Sequence, residues 1–200
     1  MMETYPVTLD GTYVRLEPLA HAHLSPLCEV GLDDELWRLT TSRIKTRDDM
    51  KKYITAALEE LKKGKALPFA IVEKVSGKVV GSTRFGNIYP EHRRVEIGWT
   101  WVARPWQRTA VNTEAKYLLL SHAFDTLGCI RVEFKTDSTN LRSQKALKRI
   151  GAREEGVMRN HMIVPGGRIR HSVYFSIVDS EWPEVKQELE KKLKKDYSGL

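Results

Sequence analysis

The segment Val95-Glu-Ile-Gly-Trp-Thr-Trp-Val-Ala-Arg-Pro-Trp-Gln-Arg-Thr-Ala-Val-Asn-Thr-Glu-Ala-Lys116 concentrates the groups most able to do chemistry. It reads as a buried strand, a short basic loop and the first turns of an apolar helix. A strand that feeds a helix N-terminus through a loop makes an anion site, because the unpaired first-turn N–H groups and the positive end of the helix dipole converge there. Arg104 and Arg108 add charge to the same loop. The plainer reading is that Thr109 or Asn112 caps the helix and nothing more.

Glu96 stands between Val95 and Ile97 on the strand that enters this loop. A carboxylate among apolar neighbours needs a partner or a task, since burying an unpaired charge is costly. Glu96 could serve as a general base toward an ammonium, with a pKa raised by partial desolvation. Alternatively it faces solvent or pairs with Arg84 on the neighbouring strand. Trp99 and Trp101 share a face in a regular strand and read as core. Asn140-Leu-Arg-Ser143 lies where a strand gives way to a helix, so Asn140 is a natural N-cap.

Other chemistries find little support. The histidines, His21, His23, His92, His122, His161 and His171, are scattered; only His21 and His23 approach a ligand spacing, so no metal is expected. Cys28 and Cys129 are far apart, and Cys129 reads as a small buried thiol. No Ser-His-Asp or Cys-His pattern, Walker loop or dinucleotide glycine fingerprint is present.

The elements that must position these residues can be read from periodicity. Tyr13–Pro18 alternates as a first strand, and helices follow in His21–Val30 and Asp48–Lys63, the latter stopped by Gly64. Strands Leu67–Lys74, Lys78–Gly86 and Arg94–Ala103 form a meander. The next helix, Asn112–Leu127, is apolar around most of its circumference and is expected to pack on more than one side. Strand Ile130–Thr136 and helix Leu141–Ile150 come next. Strands Arg153–Val164 and Arg168–Val178 flank the turn Pro165-Gly166-Gly167. A last helix opens at Ser180 and runs through Glu184–Lys195. This order predicts an α/β (α+β) domain with a mixed, mostly antiparallel sheet flanked by helices.

The chain has 200 residues, 41% hydrophobic and 30% charged, the profile of one globular domain over residues 1–200, with residues 179–200 as C-terminal helix and tail. The net charge of +7 favours an anionic partner. Nucleic acid is disfavoured, because basic and aromatic residues do not interleave on a strand pair and no DNA-binding motif appears. No apolar run would span a membrane, and Met1–Leu9 has no signal-peptide pattern, so a cytoplasmic protein is expected.

The order of elements, Glu96-Ile-Gly-Trp99, the loop Gln107-Arg-Thr-Ala-Val-Asn112, and Asn140-Leu-Arg-Ser143 before Gly151-Ala152 together resemble the GNAT acyltransferase superfamily. Within it the chain looks like the RimJ/RimL-type N-acetyltransferases, from about Val7 to Val178. The resemblance implies a splayed strand pair that forms a cofactor cleft, and acetyl-coenzyme A as co-substrate with no metal. It implies that Gln107, Arg108, Thr109, Ala110, Val111, Asn112 and Thr113 cradle the pyrophosphate. The family pattern Gln/Arg-x-x-Gly-x-Gly/Ala has Ala110 and Asn112 at its small positions here. Alanine still supplies an N–H but lacks glycine's conformational freedom.

The resemblance further implies that a backbone N–H in Trp101, Val102 or Ala103 polarises the thioester carbonyl. Asn140 would bind the pantetheine arm, and Ser143 would protonate the leaving thiolate. Acetyl transfer to a primary amine, a protein N-terminus or another α-amine, would proceed by direct attack in a ternary complex, with Glu96 as base. The alternative is a coenzyme A-binding regulator without catalysis. Acceptor contacts would come from the N-terminal helices and the last hairpin, with Arg38, Tyr89 and His161 as neighbours. An exposed last strand would allow a homodimer.

Overall fold

A computed structural model describes residue 2 and residues 4–197 of the chain, with side chains through residue 195. Eight strands form one sheet in the order β1-β2-β3-β4-β5-β6-β8-β7. They are β1 (Leu9–Asp10), β2 (Val14–Pro18), β3 (Leu67–Glu73), β4 (Val79–Tyr89), β5 (Arg94–Val102), β6 (Arg131–Asp137), β7 (Arg153–Ile163) and β8 (Ile169–Val178). Every neighbouring pair is antiparallel except β5 and β6. The mixed, mostly antiparallel sheet therefore matches the sequence expectation.

Helices α1 (Leu24–Gly31), α2 (Asp34–Trp37) and α3 (Arg47–Lys62) cover one face; α4 (Ala110–Ser121), α5 (Leu141–Arg149) and α6 (Trp182–Tyr197) cover the other. The last stretch of the expected tail, residues 198–200, lies outside the described residues. Two cores result. Leu16, Phe69, Phe85, Ile97, Phe134 and Phe175 turn toward α4, α5 and α6, while Ala70 and Trp101 turn toward Trp37, Met50 and Ile54 of α2 and α3. Burying each large apolar side chain contributes about 1.5–3 kcal/mol, so alternation along β3, and along β5 with one shift between Gly98 and Trp101, decides which residues meet which helices.

Helix α3 begins where its sequence says it should. The Thr46 hydroxyl accepts from the Asp49 N–H while Asp49 accepts from the Thr46 N–H, a reciprocal capping box. Helix α4 is apolar on several sides because the sheet lies on one flank and α6 on another, where the Tyr117 hydroxyl donates to Glu190 at 2.9 Å. It begins at Ala110, two residues before the expected Asn112, and gives way to a π turn at His122–Thr126.

Glu114 of α4 is buried and fixes the β1–β2 turn. Its carboxylate accepts from the N–H groups of Thr12, Tyr13 and Val14 at 2.8, 2.6 and 2.7 Å. Cys129 is buried just before β6, as its apolar surroundings suggested, and burial pushes its thiol up to about 11.

Candidate active site

Strands β5 and β6 begin side by side and then part. Only Arg94↔Arg131, Val95↔Val132 and Glu96↔Glu133 are paired, after which β5 stays with β4 and β6 with β8. The strands are parallel, so their carboxyl ends lie at the same end of the gap. Each runs into a helix N-terminus there: β5 through residues 103–109 into α4, and β6 through residues 138–140 into α5. Ligands in open α/β sheets bind at such a divergence.

The loop after β5 is built to leave donors free. Gln107 is extended, Arg108 takes the left-handed conformation with φ 64°, and Thr109 is the N-cap. The Thr109 hydroxyl donates to the Trp106 carbonyl at 2.7 Å and accepts from the Val111 N–H at 3.3 Å. Ala110, Val111 and Asn112 are thus the first helical residues, and first-turn N–H groups have no partners within a helix. Ala110 has helical φ and ψ, so the conformational freedom of glycine is needed at neither Ala110 nor Asn112. Of the two loop arginines, Arg104 pairs with Asp33 at 3.3 Å, while Arg108 is exposed without an ion pair among the described residues.

One bond joins the two helix N-termini across the gap. Arg142 in the first turn of α5 donates to Gln107 Oε1 at 2.8 Å, and Gln107 Nε2 donates to the Val102 carbonyl at 2.7 Å. The Ala103 N–H is already used by the Val80 carbonyl at 2.8 Å. Strand alternation turns the N–H and C=O of Val102 the other way, toward the gap. The Trp101 ring is core, stacked obliquely 5.2 Å from Trp37.

Asn140 caps α5 as expected: its Oδ1 accepts from the Ser143 N–H at 3.0 Å. Its Nδ2 and the half-buried Ser143 hydroxyl make no hydrogen bond within the described residues.

Glu96 lies at the point of divergence and is 4% exposed. Its partner is Lys135 on β6, 3.0 Å away, rather than solvent or Arg84. Asn87 Nδ2 donates to the same oxygen, Oε2, at 2.7 Å. Oε1 accepts no hydrogen bond from the described residues and faces Gly98, where an added Cβ would stand 3.1 Å away. One oxygen therefore holds the carboxylate in place and the other is open to a proton.

Beneath the parted strands, buried Lys116 of α4 donates to Thr100 Oγ1 at 2.8 Å and lies 5.7 Å from the Phe134 ring centre. Burial lowers its amine to about 7, against a smaller raising effect from Glu96.

Across the face that carries α3, β5 bulges. Two residues, Trp99 and Thr100, stand opposite Thr83, and Trp99 has φ 50°. The regular strand expected here is interrupted, although Trp99 and Trp101 still pack toward the same helices. Tyr53 of α3 donates to the Trp99 carbonyl at 3.3 Å. The Trp99 ring lies over Gly86, where a Cβ would meet it at 2.3 Å, so glycine is required there. Two clefts, of ≈ 290 and ≈ 200 Å³, flank this ring, and Arg84 lines both.

Of the expected acceptor neighbours, Tyr89 lines the smaller cleft under the Arg94 guanidinium, 4.2 Å from its ring centre. Arg38 is exposed and pairs with Glu35. His161 lies 3.0 Å from Ser172 Oγ and 3.4 Å from the Tyr174 hydroxyl. Burial, with the Lys135 and Arg170 charges, holds its imidazole below the ordinary range. Lys116, Lys135, Asn87 and Tyr53 were not singled out from the sequence. The one available signal was for Lys116, a cation in the middle of a helix otherwise apolar on several sides. Among the described residues, no group of three or more His, Cys, Asp or Glu side chains converges to hold a metal, and no helix is long and apolar enough to cross a membrane.

Known proteins share this arrangement. Residues 14–153 match the Acetyltransferase (GNAT) domain family. A provisionally assigned acetyltransferase from T. thermophilus is 37% identical, covering 96% of this chain and 100% of its own, with a TM-score of 0.88. Mycobacterium smegmatis RimJ, solved with CoA-disulfide, has the same fold at 24% identity, covering 94% of this chain and 95% of its own, with a TM-score of 0.80. YdaF of Bacillus subtilis, provisionally named a ribosomal N-acetyltransferase, is 32% identical over 53% of this chain and 57% of its own. The chain thus spans little more than half of that relative's length. The parted parallel strands, the two helix N-termini at their ends and the family match over residues 14–153 make this chain a member of the GNAT acetyltransferase family.

Proposed function

We propose that this protein transfers an acetyl group from acetyl-coenzyme A to a primary amine, the α-amine of a protein N-terminus or another α-amine, in the gap between β5 and β6. The observation that carries the reading is the bond from Arg142 to Gln107, which ties the α4 and α5 N-termini into one cleft. The name of YdaF, a ribosomal N-acetyltransferase, supports a ribosomal protein as acceptor.

The residues present fit the cofactor. The first-turn N–H groups of Ala110 and Asn112, with the Val111 N–H shared with Thr109 Oγ1 and with Arg108, would hold the pyrophosphate. The Asn140 carboxamide would bind the pantetheine arm. Bound acetyl-coenzyme A supplies an activated acyl thioester. The Val102 N–H polarises the acyl carbonyl, and Oε1 of Glu96 takes a proton from the ammonium directly or through water. As the C–S bond breaks, the Ser143 hydroxyl would pass a proton to the departing thiolate and regain one from the newly acylated nitrogen, directly or through water. Holding the amine and the acyl group together provides much of the acceleration.

A purely regulatory coenzyme A-binding role drew its motive from Ala110 in place of glycine. The helical backbone at Ala110 weakens that motive. Calorimetric titration with coenzyme A, followed by a thiol-release assay over a panel of peptide N-termini, tests the proposal. Binding with turnover supports it; binding without turnover on any amine favours the regulator.

A further inference from the structure

Arg84 is a buried cation with no ion-pair partner among the described residues. It is 6% exposed, and its Nε is buried without a hydrogen-bond partner. No Asp or Glu of the described residues pairs with it; its contacts are aromatic, with the guanidinium carbon 5.1 Å from the Tyr53 ring centre and 5.0 Å from that of Trp99. Rings at this distance favour a cation and fix the orientation of the planar fork. They cannot supply the anion that a buried guanidinium otherwise acquires.

The surroundings leave that place to a ligand. Arg84 lines both clefts beside Trp99. Arg43 and Lys52 line the larger cleft with it, and Lys65 the smaller. The acidic groups on the walls are occupied: Asp49 accepts from Thr46 and Lys45, and Glu60 pairs with Lys63 at 3.0 Å. Both clefts are therefore electropositive.

The register relates this cation to the reactive carboxylate. Arg84 stands opposite Gly98, and Glu96 opposite Gly86. The two charged residues are thus diagonal neighbours on one face of the β4–β5 pair, a separation of roughly 7–8 Å between backbones. The residue opposite each is a glycine; the Trp99 ring covers Gly86 and the Glu96 carboxylate faces Gly98, so a ligand would reach Arg84 through the clefts on either side of that ring. Glu96 is kept from Arg84 by Lys135 and Asn87, which hold its Oε2.

The geometry points to Arg84 as the anchor for a carboxylate on the acceptor, a few bonds from the amine that Glu96 deprotonates. The substrate class is therefore an amine bearing an acid: a short peptide with its free carboxyl terminus, or an N-terminus with an acidic side chain in its first residues. This inference rests on the acetyl-transfer reading of the same cleft.

The test compares matched acceptors. Dipeptides are offered as free acids and as amides, and longer amidated peptides carry Asp or Asn, Glu or Gln, at the first two positions. The acid-bearing member of at least one pair is expected to show a kcat/KM about tenfold or more above its neutral partner, carried mainly by KM. The dipeptide pairs reveal a terminal carboxylate and the longer peptides a side-chain carboxylate. In Arg84→Gln the preference falls to near unity, and in Arg84→Lys it survives only in part, because the bidentate fork is lost.

Where turnover is absent, the same pairs are titrated into wild-type protein saturated with coenzyme A. Equal use, or equal binding, of acid and neutral forms by the wild type overturns the inference, as does binding of neither. The wild-type comparison needs no variant to fold. A separate titration with coenzyme A distinguishes the failures: if coenzyme A binds and the preference is absent, only the carboxylate anchor fails; if coenzyme A does not bind, the acetyl-transfer reading fails first.

Discussion

Glu96 and Lys135 meet at 3.0 Å across two parallel strands, with Lys135 two residues beyond the last paired position of β6. The pair closes the narrow end of the gap and leaves one Glu96 oxygen unused. A nearly buried ion pair need not add stability, but removing one partner leaves the other charge stranded, which costs about 3–5 kcal/mol. Lys135→Met should therefore lower the urea midpoint sharply, and adding Glu96→Gln should recover part of the loss. Additive losses in the double variant would mean that the two groups do not depend on each other.

Glu96→Gln alone keeps the shape and removes the base. If Glu96 takes the amine proton, kcat should fall by about 10²–10⁴-fold with coenzyme A affinity unchanged. Steady-state kinetics beside calorimetry checks this, and an unchanged kcat would assign Glu96 a structural role only.

Lys116 predicts a pH dependence of stability. Its amine titrates near 7 in the folded protein and about 10.4 when unfolded. Between these values the unfolded chain binds the extra proton, so stability rises with pH. Below pH 7 both states are protonated and the full penalty of a buried ammonium applies. Lys116→Met should raise the melting temperature most at pH 6–7, and its advantage should shrink by about 1.4 kcal/mol per pH unit up to pH 10. Thermal unfolding at pH 6.5 and 9.5 reads the difference; an equal gain at both values would contradict the assignment.

Glu114 makes a simpler demand. Three backbone N–H groups converge on its carboxylate, and charge-assisted hydrogen bonds are about twice as strong as neutral ones. Glu114→Gln should cost about 2–3 kcal/mol in chemical unfolding, since an amide cannot accept all three bonds with the same strength. A loss below about 0.5 kcal/mol would show that the β1–β2 turn does not depend on this charge.

Much of this architecture is legible from residue patterns. Apolar runs between turn residues mark the meander strands, with Leu67, Phe69 and Ile71 on one face of β3, and Gly64 and Gly151 mark helix ends. The start of α4 is displaced because Thr109, not Asn112, supplies the cap, and a threonine shortly after a proline–tryptophan turn gives no periodic signal of its own. Helix α2 is four residues long, too short for periodicity to register.

The site divides the same way. Asn140 and the loop before α4 are local devices, visible in sequence. Lys135, Asn87 and Tyr53 reach the site from other strands and from α3, and Trp99 is turned by a bulge. Their meeting depends on strand register, which no local pattern specifies.

Asn140→Ala separates capping from cofactor binding. Loss of the cap to the Ser143 N–H should cost about 1 kcal/mol of stability. If the carboxamide also binds pantetheine, coenzyme A affinity measured calorimetrically should fall as well, whereas Ala110→Gly should leave it nearly unchanged. Unaltered affinity in Asn140→Ala would remove Asn140 from the binding site.

Mass spectrometry of acceptor peptides incubated with acetyl-coenzyme A and the wild-type protein tests acetyl transfer in the gap between β5 and β6. One added acetyl group is expected on the α-amine, formed at a rate that collapses in Glu96→Gln. Peptides that remain unmodified while the protein binds coenzyme A, or acetylation that Glu96→Gln leaves at the wild-type rate, would contradict it.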